Sequence, residues 1–375
     1  MNTPIATTII LTAVTLLIPC VQAEPTLKEA FKNDFLIGAA LNESQFCEFN
    51  TQEAALVKRQ FNSISPENVL KWNNIHPQPG KYDFRLADRY VEFGESNGMF
   101  IIGHNLVWHE QTPGWVFQDE HGRPVSREVL LRRMRDHIFT VVGRYKGRIK
   151  GWDVVNEALD ENGSLRSSPW MKIIGPDFIE KAFQFAHEAD PKAELYYNDY
   201  AMENQAKRAG AVTLIHKLKS EEVFITGVGV QGHYGLTWPT NCELDATLDA
   251  FAKLGVKVMI TELDVDVLPS AWDQGNANIT RNFALQMKLN PYPDGLPEAM
   301  QQKLASRYAD LFRVFLKHRE VISRVTFWGV ADQDSWLNDW PVNGRTSYPL
   351  LFDRKHNPKP AFKNVIETAS SQKNL

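Results

Sequence analysis

Apolar residues along this chain fall into short runs, separated by longer stretches in which they recur every three or four positions. The short runs read as buried strands: Phe35 to Leu41, Phe61 to Ser65, Phe100 to Trp108, Ile149 to Glu157, Glu194 to Asn198, Ile225 to His233, Val256 to Asp264 and Arg324 to Val330. The longer stretches read as amphipathic helices: Arg85 to Asn97, Ser126 to Tyr145, Pro176 to Glu188, Glu203 to Lys219, Leu244 to Lys253 and Pro297 to His318. Ser126 is placed to cap the second helix, and Gly98 to end the first. Eight strands, most of them followed by a helix, predict an α/β chain folded as a single (β/α)8 barrel. No internal repeat, low-complexity tract or Pro/Ser-rich linker marks a second domain. The stretch from about Leu268 to Leu296 fits no element, and its Asn290-Pro291-Tyr292-Pro293-Asp294-Gly295 run marks an excursion, either a shaper of substrate access or a solvated insertion.

Where the polar residues fall changes the picture from fold to chemistry. Glu67 and Asn68 follow the second strand; His104 and Trp108 lie in the third; Asn156 and Glu157 end the fourth, and Asn198 the fifth. Gln231 and His233 end the sixth strand, Glu262 and Asp264 the seventh, and Trp328 lies in the eighth. In a (β/α)8 barrel the strand C-termini form the active face. A lone Glu at such an end is more often a cap or a solvated ion pair. Two on different strands, one beside Asn156 and one beside Asp264, suit glycosidic cleavage, in which one carboxylic acid protonates the leaving oxygen while a second carboxylate attacks the sugar or activates water.

Composition narrows the partner. The chain has 375 residues, 43% hydrophobic and 11% aromatic, with a formal net charge of −4, so it offers a packed core and no basic field for nucleic acid. Ten Trp and ten Tyr provide faces on which sugar rings can stack, although most aromatic rings serve the core. Ile9 to Ile18 is largely apolar and Val21-Gln22-Ala23 offers small residues for cleavage, so residues 1–23 read as a secretory signal and 24–375 as the mature chain, although Met1 to Thr8 carries no Lys or Arg. Export is therefore expected, to the exterior or the periplasm; a lipid anchor at Cys20 is the lesser alternative, since Pro19 fits such a site poorly. No later run is apolar enough to span a membrane. Cys47 and Cys242 permit one disulfide without requiring it, two buried thiols being the plainer expectation.

The motifs Glu67-Asn68-Val69-Leu70-Lys71-Trp72, Gly103-His104-Asn105-Leu106-Val107-Trp108-His109, Trp152-Asp153-Val154-Val155-Asn156-Glu157, Gly229-Val230-Gln231-Gly232-His233 and Ile260-Thr261-Glu262-Leu263-Asp264, in this order, give the chain a strong resemblance to the family 10 glycoside hydrolases, chiefly endo-β-1,4-xylanases. The resemblance covers essentially the whole mature chain. It implies a retaining double displacement on xylan and xylo-oligosaccharides without metal or cofactor, with Glu157 as general acid/base and Glu262 as nucleophile. His233, oriented by Asp264, then keeps Glu262 ionised, and Asn156 binds the 2-hydroxyl of the sugar at the cut. Glu67, Asn68, Lys71, His104, Trp108, Gln111, Trp328 and Trp336 match the family's contacts to sugars on the non-reducing side, and Asn198 and Gln231 join the expected binding set. Each has a plainer alternative: Lys71 and Glu67 a surface pair, His104 a satisfied core histidine, the tryptophans core rings. The chain departs from the common pattern at Asn105, Glu110, Ala201 and Gly232, which leaves the chemistry intact and alters the fine structure of the subsites.

Two other functions remain open at this stage: a retaining barrel hydrolase acting on cellulose or mixed-linkage glucan, and a non-catalytic xylan-binding barrel. A monomer is the default expectation.

Overall fold

The computed structural model describes residues 25–270 and 283–371. The expected signal segment 1–23, Cys20 within it, and the middle of the Leu268 to Leu296 excursion lie outside the described residues. The strands are β1 (Leu36–Leu41), β2 (Ser63–Pro66), β3 (Phe100–Val107), β4 (Gly151–Asn156), β5 (Glu194–Asp199), β6 (Gly227–Val230), β7 (His233–Gly235), β8 (Lys257–Asp266) and β9 (Ile322–Phe327). They run in parallel in the order β6-β5-β4-β3-β2-β1-β9-β8, and β6 pairs with β8 to close an eight-stranded barrel. The short β7 adds to the C-terminal half of β8 through His233 opposite Asp264.

All eight expected strands are present, with two corrections. The sixth is broken: β6 stops at Val230, and Gly232, at φ +86, turns the chain before β7 begins. A residue with no Cβ takes that conformation freely. The seventh runs on to Asp266, so Glu262 and Asp264 stand inside β8 rather than at its end. The six expected helices appear as Arg85–Ser96, Arg127–Arg144, Phe178–Ala189, Gln205–Ser220, Asn241–Ala252 and Glu298–Lys317. Ser126 caps the second, accepting from the Val129 N–H at 3.4 Å, and Gly98 ends the first at φ +61. Two further helices, Thr51–Gln60 and Pro360–Ser371, complete the ring. The first carries few apolar residues for a pattern to show; the second has Phe362, Val365, Ile366 and Ala369 at helical spacing with Pro360 in its first turn, so its signal was present.

Packing separates the inside of the barrel from the outside. Ile102, Tyr196 and Met259, from the non-adjacent strands β3, β5 and β8, form a buried cluster of their own, and only the barrel interior brings those strands together. The larger core lies between strands and helices; the Arg85–Ser96 helix, for example, buries Ala87, Tyr90, Val91 and Gly94 on one face. Trp152 points into this outer layer, where its ring takes the space beside Gly103: a Cβ on that glycine would lie 2.1 Å from the indole. The interior above Ile102, Tyr196 and Met259 is polar, and it forms the floor of the site.

No disulfide joins Cys47 to Cys242. Cys47 is half-buried and Cys242 exposed, both as free thiols, so only one comes near the expectation of two buried thiols. The described end of the excursion packs against the loop that follows β9, with the Phe283 N–H on Pro341 O and the Thr346 N–H on Asn290 Oδ1. None of its described residues lines the central cleft. Among the described residues no helix is long and apolar enough to cross a membrane.

Candidate active site

Glu262 and Asp264 are two apart on β8 and share a face of the strand. Glu157 follows the last residue of β4 with φ +56, a left-handed conformation that costs a non-glycine residue about 1–3 kcal/mol and recurs at functional sites. Its backbone is held there on both sides: its N–H donates to Asn198 O at 2.9 Å, and its C=O accepts from Arg166 Nε at 3.0 Å.

The Glu262 carboxyl is almost fully buried, and both oxygens are engaged. Oε1 accepts from Asn198 Nδ2 at 2.8 Å, and Oε2 lies 3.1 Å from His233 Nε2. Burial alone would push this carboxyl up. The His233 hydrogen bond, the nearby charges of His104 and His233 and the Asn198 bond outweigh it, and Glu262 is held below the usual carboxylate range. His233 faces a second carboxylate through Nδ1, 3.1 Å from Asp264 Oδ2, an oxygen that also accepts from Trp336 Nε1 at 2.7 Å. Although burial opposes a charged ring, Asp264 and Glu262 together raise the imidazole to about 10, so His233 is an imidazolium bonded to two carboxylates.

Glu157 is set differently. Oε2 accepts from Trp108 Nε1 and Oε1 from Gln231 Nε2, each at 2.9 Å, and among the described residues no cation touches either oxygen. Between the two carboxyls stands Asn198, whose Nδ2 donates to Asn156 Oδ1 and to Glu262 Oε1, both at 2.8 Å, while its Oδ1 accepts from Thr261 at 2.6 Å. The Asn156 carbonyl is thus occupied, which leaves its amide N–H groups for a ligand in the cleft.

A cleft of about 520 Å³ opens over these groups. Of the fifteen residues expected at the site, thirteen line it; Asn198 and Asp264 lie behind the wall and act on those that do. The Lys71 ammonium is buried, bonded to Asn68 Oδ1 at 3.0 Å and 5.2 Å from the Trp108 ring, so it is no surface ion. Burial pushes it down while Glu262, Glu67 and Glu157 push it back, and burial raises Glu67 against the pull of Lys71 and Asn68. His104 is bonded through Nδ1 to buried Asp153 at 2.9 Å and still reaches the cleft. Gln111 lines the cleft at φ +46.

The wall has two ends. Glu67, Asn68, Lys71, His104, Trp328 and Trp336 come from β2, β3, β9 and the segments that follow them; Tyr200, Ala201 and Trp238 come from the segments after β5 and β7, with Glu157 and Glu262 between the two groups. Tyr200, Trp238 and Trp340 were missed as site residues. Tyr200 directly follows a strand end, which was signal enough. Trp340 stacks on Trp336, with ring centroids 4.8 Å apart, and its place four residues further on hinted at this. Trp238 stands in Thr237-Trp238-Pro239, where nothing in the sequence pointed to the cleft. Among the described residues no group of three or more His, Cys, Asp or Glu side chains is arranged to hold a metal ion.

The sequence model of glycosyl hydrolase family 10 matches residues 26–368. The chain is similar to endo-1,4-beta-xylanase A of Xylanibacter ruminicola, 47% identical over 346 residues that span 92% of this chain and 94% of that protein. It is also similar to a beta-1,4-xylanase of Dictyoglomus thermophilum, 44% identical over 345 residues, 92% of this chain and 91% of the relative. Among solved structures it resembles a GH10 endoxylanase retrieved from sugarcane soil metagenome, with a TM-score of 0.87, 48% identity and coverage of 92% of this chain and 99% of the other.

Proposed function

The chain belongs to glycosyl hydrolase family 10 and is an endo-1,4-β-xylanase; we propose that it is exported as a monomer and cuts internal bonds of xylan by a retaining double displacement, with Glu157 as acid/base and Glu262 as nucleophile. The observation that carries this division of roles is the contrast between the two carboxyls on one cleft. Glu262 is bonded to an imidazolium and an amide N–H and is held in its charged form; Glu157 is bonded only to neutral donors.

In the first step a Glu262 oxygen attacks the anomeric carbon as Glu157 gives its proton to the departing glycosidic oxygen. One C–O bond breaks, and a glycosyl ester to Glu262 forms. Esterification removes the negative charge of Glu262, and Glu157, now a carboxylate, takes a proton from water as that water attacks the anomeric carbon. The ester breaks, Glu262 is again a carboxylate, and two inversions leave the β configuration. Asn156 offers its amide N–H to the 2-hydroxyl, a bond that strengthens as charge builds on the ring. Sugars on the non-reducing side lie along Glu67, Lys71, Trp328 and Trp336, and the leaving portion along Tyr200 and Trp238.

The test is a product time course on soluble glucuronoarabinoxylan, with wild type beside Glu262→Ala. Early mixed xylo-oligosaccharides from the wild type alone are expected; release by neither protein, with binding intact, would remove the catalytic reading on xylan. Glu157→Ala with azide and an activated aryl xylobioside should give the β-azide. An α product would exchange the two roles. A clear preference for cello- over xylo-oligosaccharides of equal length would move the substrate to glucans.

A further inference from the structure

Nine residues beyond Glu157, Arg166 makes a set of bonds for which the reaction as described has no use. Its Nε donates to the Glu157 carbonyl at 3.0 Å; its Nη2 donates to Leu159 O and to the Tyr200 hydroxyl, each at 2.9 Å; its Nη1 lies 3.3 Å from Asp160. The side chain is 19% exposed, and it is not among the residues lining the cleft. One planar group therefore ties the backbone of the acid/base residue to an aromatic residue of the cleft wall.

Two features give this tie a consequence. Glu157 sits at φ +56, an unfavourable conformation that persists only where neighbours over-determine it, and the Arg166 bond is one of the two that fix its peptide groups. Guanidinium donors also form a rigid fork, so moving one acceptor reorients the others; an ammonium, as a point donor, transmits no such geometry. Tyr200 stands at the end of the cleft away from Lys71 and Trp328, where the leaving portion of the substrate lies. A sugar that packs on its ring or bonds its hydroxyl fixes the phenol, the phenol fixes the guanidinium plane, and that plane sets the Glu157 carbonyl.

We propose that Arg166 is a positioning residue that couples occupancy of the cleft at Tyr200 to the placement of the Glu157 carboxyl against the departing oxygen. This rests on Glu157 being the acid/base. Substrates with sugars on the leaving side thereby obtain better acid assistance than substrates lacking them.

The experiment compares wild type, Arg166→Met, Arg166→Lys, Tyr200→Phe and Glu157→Ala on two substrate series: aryl xylobiosides from dinitrophenyl to unactivated phenyl, and xylotriose to xylohexaose. A general acid contributes about 10²- to 10⁴-fold, and a misplacement of about 1 Å costs roughly 10²-fold. Arg166→Met should therefore lose about 10- to 100-fold in kcat/KM, which reports the first step, on phenyl xylobioside and xylohexaose while keeping a near wild-type kcat/KM on the dinitrophenyl substrate. Arg166→Lys should follow Arg166→Met. Tyr200→Phe keeps the ring but removes the hydroxyl that Arg166 holds; it should flatten the rise of kcat/KM with added leaving-side sugars and, like Arg166→Met, lose more on phenyl than on dinitrophenyl xylobioside. Equal losses on all leaving groups, or losses confined to KM, would overturn the coupling, as would a length dependence unchanged in Tyr200→Phe. Glu157→Ala separates the two ideas: if it discriminates between leaving groups and Arg166→Met does not, the coupling fails alone. If Glu157→Ala shows no discrimination, the acid/base reading falls and the coupling with it. Should Arg166→Met not fold, Tyr200→Phe decides.

Discussion

Trp336 donates its indole N–H to Asp264 Oδ2 at 2.7 Å, the same oxygen that lies 3.1 Å from His233 Nδ1. A ring of the cleft wall is thus bonded into the chain that holds the proposed nucleophile, since His233 Nε2 reaches Glu262 at 3.1 Å. In the proposed assignment, binding and catalysis share this tryptophan.

Trp336→Phe keeps an aromatic face and removes the donor. A hydrogen bond to a charged group is worth about 1.5–3 kcal/mol, of which only a part reaches Glu262 through His233, so kcat on xylohexaose should fall about 3- to 10-fold with KM little changed. A rise in KM at constant kcat would mean that the indole serves binding alone.

The histidines give stability opposite pH dependences. His233 titrates near 10 in the fold, above its unfolded value near 6.5, so its contribution is complete below about pH 6.5 and is lost as pH rises towards 10. His76 and His137 face one another through Nδ1 at 3.3 Å, stacked with Trp72, and burial lowers both, His76 to about 4. Their contribution is complete above about pH 6.5 and is lost as pH falls towards 4. Thermal midpoints taken from pH 4 to 10 should drop on both sides. His137→Phe should flatten the acid side and leave the alkaline side; an unchanged acid side would exclude the pair as its cause.

Glu53, fully buried, and Asp334, half-buried, form a carboxyl pair beside the segment that leads to Trp336. Glu53 accepts from Gln45, Gln333 and His356 at 2.8, 2.6 and 2.9 Å, so it is the anion, and Asp334 carries the proton of the bond between them. Burial, then the Glu53 bond and charge and the more distant Glu67, raise Asp334 to about 8. Unfolded, it titrates near 3.9, so the stabilising proton is held in full below about pH 4 and its benefit is lost as pH climbs to 8. Asp334→Asn cannot titrate there. Its midpoint should rise relative to wild type between pH 5 and 8, and parallel curves would show that no proton is shared.

Gly103→Ala tests the outer packing. The new Cβ would meet the Trp152 ring at 2.1 Å, and overpacking of this kind costs about 1–3 kcal/mol or more. Urea unfolding of the variant at wild-type stability would mean that the ring yields freely.

The sequence by itself determined the order of the elements, because strand and helix periods are local properties of the chain, and it placed Glu157 and Glu262 at barrel positions that share a face. Family motifs supplied thirteen of the residues that line the cleft. It did not determine that Gly232 breaks the sixth strand, or that β8 continues past Asp264, since both depend on hydrogen bonds between strands distant in sequence. Nor could it show that Asn198 and Asp264 work from behind the wall, that Tyr200 and Trp238 face Glu157 from the far end, or that Arg166 ties Glu157 to Tyr200. Those relations exist only once barrel closure brings the strand ends together. Closure also decides that Glu262 keeps its charge, because the His233 and Asn198 hydrogen bonds that outweigh its burial come from strands that meet only in the barrel.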